Sequence, residues 1–393
     1  MRGKIKIAVL ETGHILAGSL ASGDRWLERI ARHLPPKYYF QVLVPEIGAT
    51  HWEKSDSKVR CHLLPSSPFD NRANPLFIFL SYLLRIWPAL KVLKTLSSIK
   101  MVYSSTDILP DILPAYFWKK RHPRLLWMAQ VHHLLPPPAN RPGNFLVNFS
   151  ALLMQKISLY CLKNIADLIL VNNSHLYTQL VKMGFNQQRL KVLGAGIEYV
   201  RISQAKILPD TPLYHAIFLG RLRKTKGIFD LVPIWKGVVK SIPQATLAVI
   251  GEGEREIKRL LAKQIQESGL SDQIELLGFI QDDKLFSLLK KARVFLFCDY
   301  EAGWGVAVAE AMACGLPVVG YDIGVLGSVY QRGFVKVPLG DHQRFSTEVA
   351  RLLRDEEKRI RLAREAQQIA TQLDWSNTGQ EFAQILETIF KNR

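Results

Sequence analysis

Short apolar runs alternate with longer amphipathic stretches along the first half of the chain. Runs rich in β-branched residues beside turn residues predict strands; they are Lys4–Glu11, Phe40–Val44, Met101–Ser105 and Asp167–Val171. Helical periodicity marks stretches between them, such as Leu76–Leu96 and Phe145–Leu162. Strands separated by helices predict right-handed crossovers and a parallel sheet.

The second half repeats this alternation more regularly. Its predicted strands are His215–Leu219, Thr246–Ile250, Ile274–Leu277, Val294–Phe297 and Pro317–Gly320. Helical segments such as Arg255–Glu267 and Asp283–Lys291 follow them, whereas Pro209 and Pro212 interrupt the pattern between the halves. We expect one domain over residues 1–205, a second over 206–374, and a terminal helix over 375–393 that packs back on the first.

Composition and charge limit the structural class of the protein and the kinds of partner it can attract. The 393 residues are 48% hydrophobic and 22% charged, which is typical of a folded protein with two domains. The net charge is +18, and residues 1–200 carry 25 Lys/Arg against 11 Asp/Glu. Such a basic half attracts nucleic acid, an anionic membrane surface or a phosphate-bearing substrate, unless it is merely a lysine-rich surface.

Cysteine usage and the apolar segments bear on the compartment. The four cysteines are widely spaced, so they predict buried thiols in a reducing compartment and no zinc site. The apolar run after Lys6 is too short for a secretion signal. Ala73–Leu84 ends at Arg85 and precedes Pro88, so we expect it to fall short of the roughly 20 residues that span a bilayer. These features predict a cytoplasmic protein, soluble or peripheral on the inner face of the membrane.

The strongest chemical signal begins at Glu301. Gly303, Trp304, Gly305 and Val306 form a glycine turn after a predicted strand and open a helix that carries Glu310. Glycines let the backbone approach a ligand closely, and the helix N-terminus offers unpaired N–H groups and partial positive charge. This layout predicts a diphosphate site, with the Glu310 carboxylate able to accept from ribose hydroxyls.

The string from Glu301 to Val319 resembles the donor-site signature of the large group-one family of retaining glycosyltransferases. That resemblance implies the α/β fold called GT-B, in which two Rossmann-like parallel-sheet domains face each other across a cleft. It implies a metal-independent enzyme that moves a hexose-type sugar from a nucleotide-sugar donor to an acceptor. The nucleotide-sugar is then a substrate, and no cofactor is expected.

A second matching segment runs from Gly220 to Gly227, directly after a predicted strand. In the family, an arginine and a lysine in positions similar to those of Arg221 and Lys226 grip the donor diphosphate. Cleavage of the sugar–phosphate bond places negative charge on the departing nucleotide, and two fixed cations with a helix N-terminus stabilise it.

Further positions follow from weaker matches. Gly251 belongs to a Gly-x-Gly turn, and Phe279 and Ile280 resemble the stretch that seats the nucleobase. His132 resembles a histidine that faces the reacting sugar, although His133 stands where the family commonly has aspartate. Gly18 lies in the first loop, whose glycine pattern is altered.

One departure bears on catalysis. The family pairs two glutamates with seven residues between them, and counting back from Glu310 gives Ala302. Either the loop shifts to present Glu301 to the donor sugar, or another group makes that contact, or catalysis is impaired.

Three rival functions stay open beside the transferase. They are a nucleotide-sugar epimerase or hydrolase of the same architecture, a non-catalytic nucleotide-sugar-binding protein, and a nucleic-acid-binding protein. The last has no supporting motif, so nucleic acid is not an expected partner. The acceptor is open, with a lipid-linked saccharide or a polysaccharide as candidates. The apolar segments Leu76–Trp87 and Phe145–Met154 have basic flanks, which predicts contact with an anionic membrane unless both are core helices.

Overall fold

The protein divides into two compact units, as seen in a computed structural model that describes residues 4–14, 22–54, 58–72 and 74–391. The first unit comprises Met1–Asn140, Asn144–Ala195 and Trp375–Arg393. The second comprises Arg141–Gly143 and Gly196–Asp374.

The first unit has a fully parallel sheet, with seven strands among the described residues. The strands are β1 (Ile5–Leu10), β2 (Tyr38–Pro45), β3 (Val59–Leu64), β4 (Ile99–Ser104), β5 (Leu126–Val131), β6 (Leu168–Val171) and β7 (Leu190–Val192), in the spatial order β3-β2-β1-β4-β5-β6-β7. The helices are α1 (Ser22–His33), α2 (Pro75–Thr95), α3 (Leu109–Arg121), α4 (Phe145–Ile165), α5 (Ser174–Lys182) and α13 (Trp375–Lys391).

Successive strand residues serve two different cores. Ile7 and Val9 pack with α1 and α13, whereas Ala8 and Leu10 pack with the helices on the opposite face. Side chains alternate between the faces of a strand, so a sheet covered on both sides requires apolar residues at every position. This explains why the central strands are continuous apolar runs.

The second unit has a parallel sheet of its own, with six strands among the described residues. They are β8 (Ala216–Leu219), β9 (Leu247–Ile250), β10 (Ile274–Gly278), β11 (Val294–Phe297), β12 (Val318–Tyr321) and β13 (Phe334–Val337), in the order β10-β9-β8-β11-β12-β13. Its helices are α6 (Tyr199–Gln204), α7 (Leu231–Ser241), α8 (Arg255–Glu267), α9 (Asp282–Lys291), α10 (Val306–Ala313), α11 (His342–Arg354) and α12 (Glu356–Ala370). The predicted pair of doubly wound parallel sheets is confirmed.

The boundary between the first and the second unit lies between Ala195 and Gly196, ten residues before the boundary that the sequence predicts. Residues 196–204 belong to the second unit, because the Ile197 N–H donates to the Leu373 carbonyl at 2.7 Å and the Tyr199 N–H donates to the Asp374 carboxylate at 3.1 Å. The terminal helix α13 packs on α1, where the Trp26 and Phe382 rings meet edge to face at 5.1 Å.

The expected length of the first apolar segment was wrong. The helix α2 continues through Arg85 and Pro88 to Thr95, so both α2 and α4 have 21 residues and are long and apolar enough to cross a membrane by length and composition. The Arg85 guanidinium is buried within this helix and forms an ion pair with Asp70 at 2.6 Å.

Candidate functional site

The order of strands in the second unit reverses between β8 and β11. The chain runs outward from β8 through β9 to β10, then returns to β11 on the other side of β8. Loops leave neighbouring strands in opposite directions at such a point, and ligands of doubly wound sheets bind in the crevice that this opens at the carboxyl ends. The loops after β8 and β11 contain the two strongest sequence motifs.

Gly227 allows the loop after β8 to lie against the end of β11. Its φ is +64°, and a Cβ atom there would stand 2.0 Å from the Cys298 carbonyl oxygen. The Tyr300 N–H donates to the Thr225 carbonyl at 2.9 Å, which ties the two loops together. The glycine that closes the motif is therefore required by backbone contact.

Lys226 forms an ion pair with Asp299, which follows β11 and is almost fully buried. Burial raises the pKa of Asp299, and the Lys226 ammonium opposes that rise. The carboxylate thus fixes the lysine at the crevice while the lysine remains partly accessible. Arg221 is exposed in the same loop. Sequence reasoning missed Asp299, although an acid directly after a buried strand was a usable signal.

Gly251 joins the ends of three strands. A Cβ atom at this position would stand 1.8 Å from the Gly220 carbonyl oxygen, and the Gly251 N–H donates to the Gly278 carbonyl at 2.8 Å. Leu222 adds a bond from its N–H to the Glu252 carbonyl at 2.8 Å. Gly251 therefore supports the Arg221 loop by close backbone packing.

Phe279 and Ile280 follow β10 at the same edge of the sheet. The Glu252 carboxylate accepts from the Phe279 N–H, and its ion pair with Lys258 lowers the pKa of Glu252. The Phe279 ring is 73% exposed and Ile280 is half-buried. An exposed aromatic ring on a fixed backbone offers a stacking surface for a planar ligand.

The glycine turn before α10 has the predicted geometry. Gly305 caps the helix with a φ of +85°, and the Tyr330 hydroxyl lies 2.8 Å from the Trp304 carbonyl oxygen and 2.7 Å from that of Gly305. Burial raises the pKa of Tyr330 well above its ordinary value, so the hydroxyl stays protonated and donates. The hydroxyl has a single proton, which it shares between these two carbonyl oxygens of the turn.

The first turn of α10 supplies backbone N–H donors. Val308 and Ala309 donate to the Gly305 carbonyl at 2.8 and 3.2 Å, whereas Val306 and Ala307 precede the first helical hydrogen bond. The turn also contains Gly303, and Glu310 lies half-buried one turn further along. The positive end of the helix dipole therefore lies at the same edge of the sheet as the loop that carries Lys226 and Arg221.

Glu301 has a partner that sequence reasoning missed. Arg141 grips it through two parallel bonds, Nε to Oε2 and Nη2 to Oε1, both 2.7 Å long, and both side chains are mostly buried. Fork-to-fork pairs of this kind are strong and geometrically specific. Arg141 stands 160 residues away along the chain, so no spacing in the sequence could have indicated it.

His132 lies at the end of β5 in the first unit, and both of its ring nitrogens are engaged. Nε2 is 2.9 Å from the Ser105 carbonyl oxygen, to which it donates, and Nδ1 accepts from the Asn172 amide at 3.1 Å. Burial lowers the pKa of His132, which favours the neutral ring that this pattern needs. The ring therefore joins the chain segments that follow β4, β5 and β6, and a role of His132 at the reacting sugar stays a prediction.

Two other expectations, a donor-binding role of Gly18 and metal independence, are not tested by the structure. Gly18 lies outside the described residues. Among those residues, no group of three His, Cys, Asp or Glu side chains is arranged to hold a metal ion. Metal independence stays a prediction.

Comparison with known proteins finds that the second unit is similar to sugar transferases. Residues 201–369 match the sequence profile of the glycosyl transferases group 1 family. The phosphatidyl-myo-inositol mannosyltransferase of Mycobacterium leprae is 29% identical over 179 residues, which are 44% of this chain and 46% of that protein. Glycogen synthase of Mycobacterium tuberculosis is 23% identical over 286 residues, 70% of this chain and 68% of that protein. The match to the mannosyltransferase thus spans about half of its length.

Solved structures share the whole fold. Sucrose-phosphate synthase from Thermosynechococcus elongatus superposes with a TM-score of 0.78 at 18% identity, covering 99% of this chain and 100% of that one. HepE of Anabaena, solved with UDP and glucose, gives a TM-score of 0.75 at 19% identity and covers 98% and 100%. These likenesses confirm the GT-B fold.

The glycine contact at the site predicts a measurable asymmetry between two substitutions. Gly227→Ala and Gly269→Ala share nearly the same φ, but nothing lies within 4 Å of a Cβ at Gly269. Gly269→Ala should cost only the left-handed strain, about 1–2 kcal/mol of unfolding free energy. Gly227→Ala should cost roughly 1–3 kcal/mol more, because the backbone must move. Denaturant unfolding measures both, and equal losses would contradict the close packing.

The His132 hydrogen bonds predict a pH-dependent stability difference. His132→Phe keeps a ring but removes the donor to the Ser105 carbonyl and the acceptor for one of the two Asn172 amide hydrogen bonds, which should cost about 1–3 kcal/mol at neutral pH. Since the folded pKa is lowered, the histidine stabilises the fold above the unfolded pKa of about 6.5 and loses this effect as pH falls below it. The stability gap should shrink on acidification, with exposed His175→Phe as the control. A constant gap would refute the neutral-ring assignment.

Proposed function

Because residues 201–369 belong to the group 1 glycosyl transferases, we propose that the protein moves a hexose-type sugar from a nucleoside diphosphate sugar to an acceptor, with retention of anomeric configuration. The donor binds the second unit through Arg221, Lys226, the turn from Gly303 to Val306, and Glu310. The acceptor binds the basic first unit.

One observation carries this proposal. The strand reversal between β8 and β11 brings the Lys226–Asp299 pair and the N-terminus of α10 to one sheet edge. Charge on the departing diphosphate grows as the sugar–phosphate bond breaks. Fixed cations and oriented N–H groups stabilise that charge more in the transition state than in the ground state. The same groups take the place that a divalent metal would fill, which supports a metal-independent reaction.

Retention rests on the family resemblance. In such a reaction the departing phosphate accepts the acceptor's proton on the face of the sugar from which it leaves. No protein base is then required, which agrees with a His132 ring whose nitrogens both have internal partners.

The identity of the substrates is supported by names among the relatives. HepE was solved with UDP-glucose, and one relative from Xanthomonas oryzae is a GDP-mannose:cellobiosyl-diphosphopolyprenol α-mannosyltransferase. That relative and the phosphatidyl-myo-inositol mannosyltransferase both bear names with lipid-linked acceptors. We therefore favour a nucleotide-hexose donor and a lipid-linked saccharide or lipid acceptor, used at the inner face of the cytoplasmic membrane.

A second candidate function has a specific observation in its favour. Ala302 stands where the family has a glutamate, and the neighbouring Glu301 carboxylate is held by Arg141 through both oxygens. A site with this arrangement could bind a nucleotide-sugar without transferring it. Donor binding without turnover in the presence of candidate acceptors would favour this alternative.

The proposed contacts of Arg221 and Lys226 with the donor diphosphate predict a large and selective loss of kcat/KM when either side chain is removed. Arg221→Ala and Lys226→Ala should each lower kcat/KM by ~10²-fold or more, because each removes a charge-assisted contact that strengthens in the transition state. Arg223→Ala and Lys224→Ala, in the same loop and exposed, are the matched controls and should change kcat/KM little. Donor-turnover kinetics give the comparison. Near-wild-type values in both Arg221 and Lys226 variants would refute the assigned role.

The Arg141–Glu301 pair predicts a split between two ligands. If Glu301 holds the donor sugar and Arg141 orients it, Glu301→Ala and Arg141→Ala should both weaken nucleotide-sugar binding while keeping affinity for the bare nucleoside diphosphate. The double variant should bind no worse than either single one, since the two residues act as a unit. Calorimetric titration with both ligands measures this. Unchanged affinity for the sugar-bearing ligand would show that Glu301 does not contact the sugar.

A further inference from the structure

Two helices of the first unit bury polar residues and expose apolar ones. On α2 the inward face includes Ser81 and Arg85, and on α4 it includes Asn148, Gln155 and Ser158. A surface helix of a soluble domain normally has the reverse arrangement. The core beneath them takes up Ala89, Leu90 and Leu93 of α2 and Leu159, Cys161 and Leu162 of α4, so it explains only part of their apolar composition.

The outward face of α4 is a continuous apolar stripe. It consists of Leu146, Phe149, Leu153, Ile157 and Tyr160, all exposed, with Leu146 at 72% and Tyr160 at 67%. Their spacing of three and four residues places them on one side of the helix. The stripe runs for four turns and faces away from the unit.

The helix α2 presents a matching face. Leu76, Leu83, Leu84 and Trp87 are exposed, with Trp87 at 58%. The helix α3 packs against both α2 and α4 and contributes exposed Phe117, so the two stripes belong to one layer on the same side of the sheet. Together, the exposed apolar residues of α2 and α4 form what we call the outer surface.

Buried polar contacts hold both helices in the unit. The Gln155 amide donates to the Asp107 carboxylate at 2.7 Å and to the His133 carbonyl at 2.8 Å, and its oxygen accepts from the Leu135 N–H at 2.9 Å. Arg85 donates to Asp70 at 2.6 Å and to the Thr12 carbonyl at 2.6 Å. Helices fixed in this way lie along a surface and do not span a bilayer.

The charge around the outer surface has a single sign. Residues 71–165 contain 12 Lys/Arg, of which Arg85 is buried and Arg141 belongs to the second unit, and only two acids, Asp107 and Asp111, both of which are buried. Lys91 and Lys94 each place their Nζ 6.0 Å from the centre of the Trp87 ring, at the end of the α2 stripe. Exposed Lys156 and Lys163 lie along α4.

We propose that the outer surface docks the first unit on an anionic lipid bilayer, with α2 and α4 lying in the interface. The apolar stripes enter the boundary between headgroups and acyl chains, while the lysines meet anionic headgroups. A helix with an apolar face and basic flanks binds membranes through these two contributions together. This docking does not depend on the sugar-transfer reaction and can be tested without a donor or an acceptor.

Charge selects the bilayer over a second copy of the chain. A symmetric pair would bring the same basic surface together twice, and the described part of residues 71–165 exposes no acid that could compensate. Like charges across an interface oppose association. An anionic bilayer has the opposite charge and also accepts apolar side chains.

Vesicle co-sedimentation of the full chain tests the docking. The wild-type chain should bind vesicles that contain phosphatidylglycerol at low salt, bind less as salt rises, and bind pure phosphatidylcholine weakly or not at all. Lys91→Glu with Lys94→Glu should lower the partition coefficient by roughly fivefold per lysine or more. Leu146→Ser with Phe149→Ser should lower it by about tenfold or more, because buried apolar area is lost.

Matched variants in the second unit control for nonspecific effects. Lys240→Glu with Lys284→Glu makes the same charge change at exposed positions, and Leu260→Ser with Ile360→Ser removes two exposed apolar side chains. Both controls should bind like the wild type, and thermal unfolding should be similar for all variants because every site is exposed.

The proposal is overturned if the wild type does not bind anionic vesicles at low salt, or if the outer-surface variants bind as well as their controls. Sedimentation velocity that shows a dimer lost in the Leu146→Ser/Phe149→Ser variant, without vesicle binding, would assign the surface to a second copy and also overturn it.

Discussion

The reversal of strand order between β8 and β11 is the constraint on which the candidate site depends. After β10 the chain must return to the centre of the sheet to add β11 on the other side of β8. The loops that follow β8 and β11 then lead away in opposite directions. At that point the loop with Lys226 and the N-terminus of α10 lie at the same edge of the sheet. Gly227 permits the approach, because its backbone touches Cys298 where a side chain could not fit. The buried Asp299 then fixes the lysine at the crevice.

The sequence predicted the architecture well where burial was complete. Strands such as β9 and β11 are covered on both faces, so every position is apolar and the run is unmistakable. The edge strands β3, β7 and β13 were not predicted, because they are only partly buried and their polar positions hide the pattern. The fully buried β5 was also missing from the predicted strands. Gly227 and Gly251 lie in turns that meet another backbone, and Gly305 adopts a left-handed φ of +85° at the start of α10.

Contacts between distant residues could not be predicted in the same way. Arg141 reaches Glu301 across 160 residues, and the engagement of His132 depends on Ser105 and Asn172 from neighbouring segments. The burial of polar residues on α2 and α4 could likewise not be predicted from the hydrophobic pattern, because that pattern is interpreted on the assumption that apolar residues face the core. Arg85 was expected to end an apolar run, and its side chain is instead buried within a longer apolar helix. Apolar residues of both helices are exposed instead, and the proposed docking on a membrane depends on them.

The central claim is that the donor diphosphate lies at the strand reversal of the second unit. A crystal structure of the full chain with a nucleoside diphosphate, chosen as the one that most raises its thermal stability, tests this most directly. The account predicts phosphate oxygens within hydrogen-bond distance of the Lys226 ammonium and of the N–H groups at the start of α10. A diphosphate bound elsewhere in the second unit, or only in the first, would contradict it.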